Sequence, residues 1–211
     1  MADAFDVGRD FIGDNSVCLV LGDNVLFGHG LGSALRRAAE LESGGIVFAY
    51  PVNDPERYGV VGFDEEGRAL SIVEKPDKPR SRYAVPGIYF FDSDVVNVAS
   101  RLVPTERGEL EITDVQRHYL ERGSLHVEVL GRGTAWLDTW THEALLQAAS
   151  FVHAVQERQG MMIACPEEIA WRMGYISNDQ LRAEAELMSD NGYREYLIGV
   201  LSEREAVASR P

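Results

Sequence analysis

Two apolar runs and the segment between them constrain this chain most. "VCLVL" (17–21) and "GIVFAYPV" (45–52) contain no charge, and "LGSALRRAAELE" (31–42) spaces its apolar residues as a helix does. Strands that are apolar on both faces are typical of the interior of a parallel sheet. Strand, helix, strand is a βαβ unit. The predicted fold class is therefore α/β with a parallel sheet. Cys18, inside the first run, is expected to be a small buried hydrophobe.

The rest of the chain fits that class. Residues 2–12 read as a short amphipathic helix. "RYGVVGFD" and "RALSIVEKP" flank a turn with Gly67 and read as a hairpin. "YAVPGIYFFD" reads as a further strand, with Pro86 marking an edge or a bulge. "SDVVNVASRL" and "LEITDVQRHYLERG" read as helices, "SLHVEVLG" and "RGTAWLDT" as strands, and 141–159 as a long helix. After Gly160 three helical segments follow, one opening at Pro166. The expected division is an α/β domain over 1–160 and a helical appendage over 161–211.

A formal net charge of −14 disfavours nucleic acid polymers and anionic membrane surfaces as partners. No run approaches the roughly 18 to 20 apolar residues of a membrane span. The opening "MADAFDVGRDFIG" has no secretory pattern. The two cysteines, Cys18 and Cys165, form no CxxC pair, which suits a reducing cytoplasm. The histidines show no zinc spacing, and no nucleophile elbow is present.

Ligands of open α/β sheets sit beyond the carboxyl ends of the strands. Asp23 and Asp138 each end an apparent strand. Such a pair could share one Mg²⁺ with substrate phosphate oxygens; a helix N-cap is the alternative for each. Lys75, before Pro76, is expected to be extended, a fixed mount for gripping a phosphate or else an ordinary solvated lysine. Glu74 should then point to the opposite face. Gly59, after Tyr58, permits close approach of a ligand or marks a bulge. Arg107 precedes a helix and could hold a phosphate or pair with its acidic neighbours.

In their order and spacing, "LVLGDN", "DPERYGVV", "EKP", "YAVPGIYFFD", "RGELEITDV", "YLERG", "WLDT" and "CPEEIA" resemble the glucose-1-phosphate thymidylyltransferases. The resemblance implies a mixed, mainly parallel, Rossmann-like sheet of the nucleotidyltransferase type with a helical C-terminal appendage. It implies an Mg²⁺-dependent reaction of glucose 1-phosphate with dTTP, giving dTDP-glucose and pyrophosphate. Carried over residue by residue, Asp23 and Asp138 look like the metal-holding pair. Lys75 and Arg107 look like the cations on the sugar phosphate. Tyr58, Gly59, Glu74, Val85 and Tyr89 look like the sugar pocket. Gly28, Arg132, Glu168 and Ile169 resemble parts of a regulatory nucleotide site, and the family is homotetrameric.

Two departures accompany the resemblance. The family's "GGxGTRLxP" loop, which binds the nucleotide, does not occur in these residues. The expectation is an N-terminally truncated sheet, poor dTTP binding and little turnover. The family's "LDTGT" stands here as "LDTWT", with Trp140 in place of glycine. The alternative expectation is a non-catalytic module that binds a sugar phosphate or serves in assembly.

Overall fold

The structure, a computed structural model, describes residues 1–105 and 108–208. The chain divides into two compact units, Met1–Ala144 and the part from Leu145 onward. The first opens with two short helices, α1 (Asp3–Val7) and α2 (Arg9–Ile12), broken at Gly8 where one helix was expected. Next come β1 (Val17–Val20), β2 (Asn24–Gly28), α3 (Leu31–Ala39) and β3 (Gly45–Pro51). A 3₁₀ turn (Pro55–Arg57) leads into β4 (Gly59–Phe63) and β5 (Ala69–Glu74), the expected hairpin, with Gly67 at φ +79° in its turn. Then follow β6 (Tyr83–Ala84), β7 (Ile88–Phe91), α4 (Val95–Ala99), α5 (Ile112–Glu121), β8 (Leu125–Val129) and β9 (Thr134–Asp138). The helices α6 (His142–Gln159), α7 (Pro166–Arg172), α8 (Asn178–Leu187) and α9 (Gly192–Ala208) complete the chain.

The α/β class stands, but the sheet is not mainly parallel. Six strands lie in the order β1-β7-β3-β6-β4-β5, and β8 pairs with β3 as the seventh. Among the described pairings only β3 with β8 is parallel. The βαβ reading had the direction right and the neighbour wrong. β7 lies between β1 and β3 and runs antiparallel to both. That insertion makes β1 an edge strand of this sheet. Its run is apolar, yet only Val17, Leu19 and Leu21 pack on the core, while Cys18 and Val20 are exposed. "YAVPGIYFFD" is likewise two strands, because Pro86 and Gly87 separate β6 from β7. β7 is interior, with all four residues buried.

Alternation along the central strands builds a layer on each face. Val47 and Ala49 of β3, with Tyr89 and Phe91 of β7, face Phe5 of α1, Val95 of α4 and Val115 and Tyr119 of α5. Phe91 meets the Phe5 ring edge-on at 5.8 Å and stacks on Tyr119 at 5.1 Å. Phe48, Ile88 and Phe90 face the other way, onto Ala34 and Ala38 of α3. A separate ribbon pairs β2 with β9, antiparallel from Asn24↔Asp138 to Gly28↔Thr134. β2 has no counterpart among the sequence expectations, and it carries the chain from the main sheet to that ribbon.

In the second unit α7, α8 and α9 close around Cys165, Trp171, Leu181, Leu197 and Leu201. Pro166 opens α7 as expected. Ser177 and Gln180 form a reciprocal capping box at the start of α8.

Candidate functional site

A cavity of about 380 Å³ opens in the first unit where β5, the β2–β9 ribbon and the start of α5 meet. Tyr58, Gly59, Glu74, Lys75, Val85, Tyr89 and Asp138, seven of the residues singled out in the sequence, line it. Arg107 lies outside the described residues.

Lys75 departs from expectation. It is not extended: its φ is +41°, left-handed for a residue with a side chain. Such a conformation costs about 1–3 kcal/mol and persists only where its surroundings enforce it. Here the Lys75 N–H donates to Tyr58 O (2.9 Å), just beyond the Gly59↔Glu74 pair that ends the hairpin ladder. The bend also removes the difficulty of opposite faces, since Glu74 and Lys75 both line the cavity. Gly59 leaves room there. A Cβ on it would lie 3.0 Å from Thr113 Cγ2 and 3.4 Å from Glu74 Oε2.

Asp138 is the last residue of β9, and its side chain is only 9% exposed. Tyr58 donates its hydroxyl to Asp138 Oδ2, and Arg57 Nη2 stands 3.7 Å from the same oxygen. Burial first, then the bond to this carboxylate, pushes the Tyr58 phenol far above its ordinary range, so it stays protonated and donating. Asp138 Oδ1 is buried with no partner among the described residues. Asp138 caps no helix; Thr141 does that, accepting from Ala144 N–H at 3.1 Å.

Asp23 sits in the turn between β1 and β2, not at a helix start. Its carbonyl accepts from Thr139 N–H (3.0 Å) and from Thr139 Oγ1 (3.1 Å), which sets it on the chain beside Asp138. Its carboxylate accepts from Asn24 Nδ2 (2.7 Å). Tyr89 is buried; desolvation, then the charges of Glu74 and Asp23, drive its phenol well above the usual value. Among the described residues no group of three or more His, Cys, Asp or Glu converges as a metal cluster.

Several wall residues were not singled out in the sequence. Asn24 accepts from Gly87 N–H (3.0 Å) and Trp136 Nε1 (2.7 Å), tying β7's approach to the ribbon. Trp136 also packs against the Tyr58 ring at 4.9 Å. Strand parity was the available signal, because Trp136 and Asp138 are two apart and share a face. Thr113 and Gln116 lie three apart on α5, each 1% exposed, and Thr113 Oγ1 and Gln116 Oε1 also lack a partner among the described residues. Buried polar atoms are paired in the great majority of cases. Three such atoms, without a partner among the described residues, belong to residues that line this one cavity.

The residues proposed for regulation lie elsewhere. Gly28, at the end of β2, passes so close to Thr134 that a Cβ would sit 2.7 Å from its Cα. Arg132 is exposed between β8 and β9. Glu168 and Ile169 belong to α7 of the second unit. Glu168 is buried and accepts from Arg172 Nε (2.6 Å) and from the Tyr196 hydroxyl, while Ile169 is half exposed.

Comparison with known proteins identifies the family. The nucleotidyl transferase family profile matches residues 1–155. A glucose-1-phosphate thymidylyltransferase of Xanthomonas campestris pv. campestris (strain B100) is 53% identical over 207 residues, covering 98% of this chain and 70% of the relative. The chain belongs to the glucose-1-phosphate thymidylyltransferases of the nucleotidyl transferase family. The Mycobacterium tuberculosis (strain ATCC 25618 / H37Rv) thymidylyltransferase is 52% identical over 201 residues, covering 95% of this chain and 69% of its own length. A crystal structure from Bacillus anthracis, assigned as a glucose-1-phosphate thymidylyltransferase and in complex with a sucrose, superposes with a TM-score of 0.63 at 36% identity. It covers 72% of this chain and 60% of that one. Apo UDP-glucose pyrophosphorylase, at 21% identity and a TM-score of 0.65 over 74% of this chain and 60% of that one, shares the fold.

Proposed function

We propose that this cavity receives glucose 1-phosphate and that the chain's reaction is nucleotidylyl transfer. The sugar phosphate attacks the α-phosphate of dTTP, giving dTDP-glucose and pyrophosphate, a step in the biosynthesis of dTDP-rhamnose and related deoxysugars. The observation that carries the reading is the set of unpaired polar atoms in one wall, Asp138 Oδ1, Thr113 Oγ1 and Gln116 Oε1. They share the cavity with Lys75, whose backbone is left-handed.

The residues divide the work. Lys75 offsets the phosphate charge. Glu74 accepts from sugar hydroxyls, and Gly59 leaves them space. Val85 and Tyr89 line the pocket with apolar surface. Tyr58 holds Asp138 in place through its hydroxyl, so the carboxylate needs no rearrangement as the ligands meet. Arg107 is the second proposed cation on the phosphate. Such a transfer depends on alignment and charge neutralisation more than on covalent chemistry.

A divalent cation suits the donor set. Mg²⁺ takes one or two carboxylates and fills its remaining positions with phosphate oxygens and water, so a protein cluster of three ligands is not required. Asp138 Oδ1 has no partner among the described residues, and Asp23 lies on the adjoining chain. When bound, the ion would neutralise charge on the α-phosphate.

No helix among the described residues is long and apolar enough to cross a membrane, and the proposed location is the cytoplasm. The helical appendage of 161–211 is proposed to serve homotetramer assembly, and Gly28, Arg132 and Ile169 nucleotide regulation, with Glu168 fixing α7 through Arg172 and Tyr196.

Conversion of dTDP-glucose and pyrophosphate to dTTP and glucose 1-phosphate, followed by phosphorus NMR, tests the reaction. Slow, Mg²⁺-dependent conversion that Asp138→Asn abolishes is expected, slow because no "GGxGTRL" stretch occurs in these residues. One second reading is a module that binds the sugar phosphate without turnover. Binding without conversion would select it, and neither binding nor conversion would overturn both.

A further inference from the structure

The Trp140 ring is 73% exposed, yet it lines the cavity. Trp140 offers an apolar ring face to whatever occupies the cavity. Lys75 Nζ lies 5.9 Å from the centre of its ring, within cation–π range. Among the described residues the Lys75 ammonium forms no salt bridge. A tryptophan therefore flanks the one lysine of the cavity, while Glu74, Asp138, Thr113 and Gln116 supply the polar wall. A pyranose has matching surfaces. Its hydroxyls radiate from the rim of the ring, and its C–H groups form apolar faces that pack on aromatic rings.

We propose that Trp140 is a specificity-determining residue for the sugar phosphate, packing its indole on a C–H face of the pyranose while Lys75 holds the phosphate. The proposal rests on the reading of the cavity as a phosphosugar site and adds the residue that separates a phosphosugar from phosphate alone. The ammonium lies beside the ring, so one ligand can meet the cation with its phosphate and the indole with its carbons.

Calorimetric titration of the 211-residue chain with glucose 1-phosphate, and separately with inorganic phosphate, tests this in the wild type, Trp140→Ala and Trp140→Phe. Trp140→Ala should weaken glucose 1-phosphate about fivefold, the scale of one exposed aromatic contact, and inorganic phosphate distinctly less. Trp140→Phe, which keeps an aromatic face, should recover most of the loss. Because the ring is exposed, melting temperatures of the variants should match the wild type and so separate binding from folding. Wild-type affinity for glucose 1-phosphate in Trp140→Ala overturns the proposal. So does an equal loss for both ligands, since the ring would then serve only Lys75. A wild-type chain that binds no glucose 1-phosphate overturns the cavity reading itself, and this inference with it.

Discussion

Asp138 in the first unit and Glu168 in the second are the same arrangement brought to two ends. Each side chain is nearly buried, 9% and 8% exposed, and each carboxylate accepts from a tyrosine hydroxyl, Tyr58 or Tyr196. In Glu168 the second oxygen takes the Arg172 guanidinium at 2.6 Å, within a trio of helices packed on one apolar cluster. In Asp138 the second oxygen has no partner among the described residues, and Thr113 and Gln116, which line the same cavity, also carry atoms without one. A satisfied buried carboxylate binds its own fold together. One left half-satisfied beside a cavity is, on the function proposed above, held for a ligand that arrives from outside.

That contrast can be broken most sharply at Asp138. Asp138→Asn keeps the shape and removes the charge. Mg²⁺-dependent conversion of dTDP-glucose should fall about 100-fold or more, with the melting temperature nearly unmoved. A large loss of stability would instead make Asp138 a structural residue like Glu168. Glu168→Ala should do the reverse. It removes the acceptor for two donors and should cost about 2 kcal/mol in urea unfolding, with affinity for glucose 1-phosphate retained.

Lys75→Gly sharpens the contrast from another side. Glycine accepts φ +41° without strain, so stability should rise by about 1 kcal/mol while phosphosugar binding is lost. Unchanged or lower stability would show that the turn carries no strain.

The smallest effect is alkaline. Burial, then the bond to Glu168, pushes the Tyr196 phenol up to about 12. A phenol raised in the fold contributes stability that is complete below its unfolded value of about 10 and is lost as pH climbs toward the folded one. Urea midpoints should therefore fall above that unfolded value, and Tyr196→Phe should flatten the fall.

Much of this was legible in the sequence because it is local. The β4–β5 hairpin, the helix opened by Pro166 and the strand ending at Asp138 follow from turn residues and periodicity. What was not legible depends on distant partners. β2 has five residues and is a strand because β9, more than a hundred residues later, pairs with it. The apolar run at Cys18 looks interior until β7 inserts beside it and leaves one face in water. Thr113 and Gln116 read as ordinary positions of a helix and gain significance only where the fold leaves them without partners. At Lys75 the proline rule gave the opposite of the observed backbone, and a residue that breaks a local rule is where function is to be expected.

Isothermal titration of glucose 1-phosphate into the 211-residue chain in the presence of Mg²⁺ tests the cavity most directly. Saturable one-site binding is expected, weakened about tenfold or more by Lys75→Ala through loss of a charge-assisted contact. Heats no greater than dilution, or an affinity that Lys75→Ala leaves untouched, would contradict it.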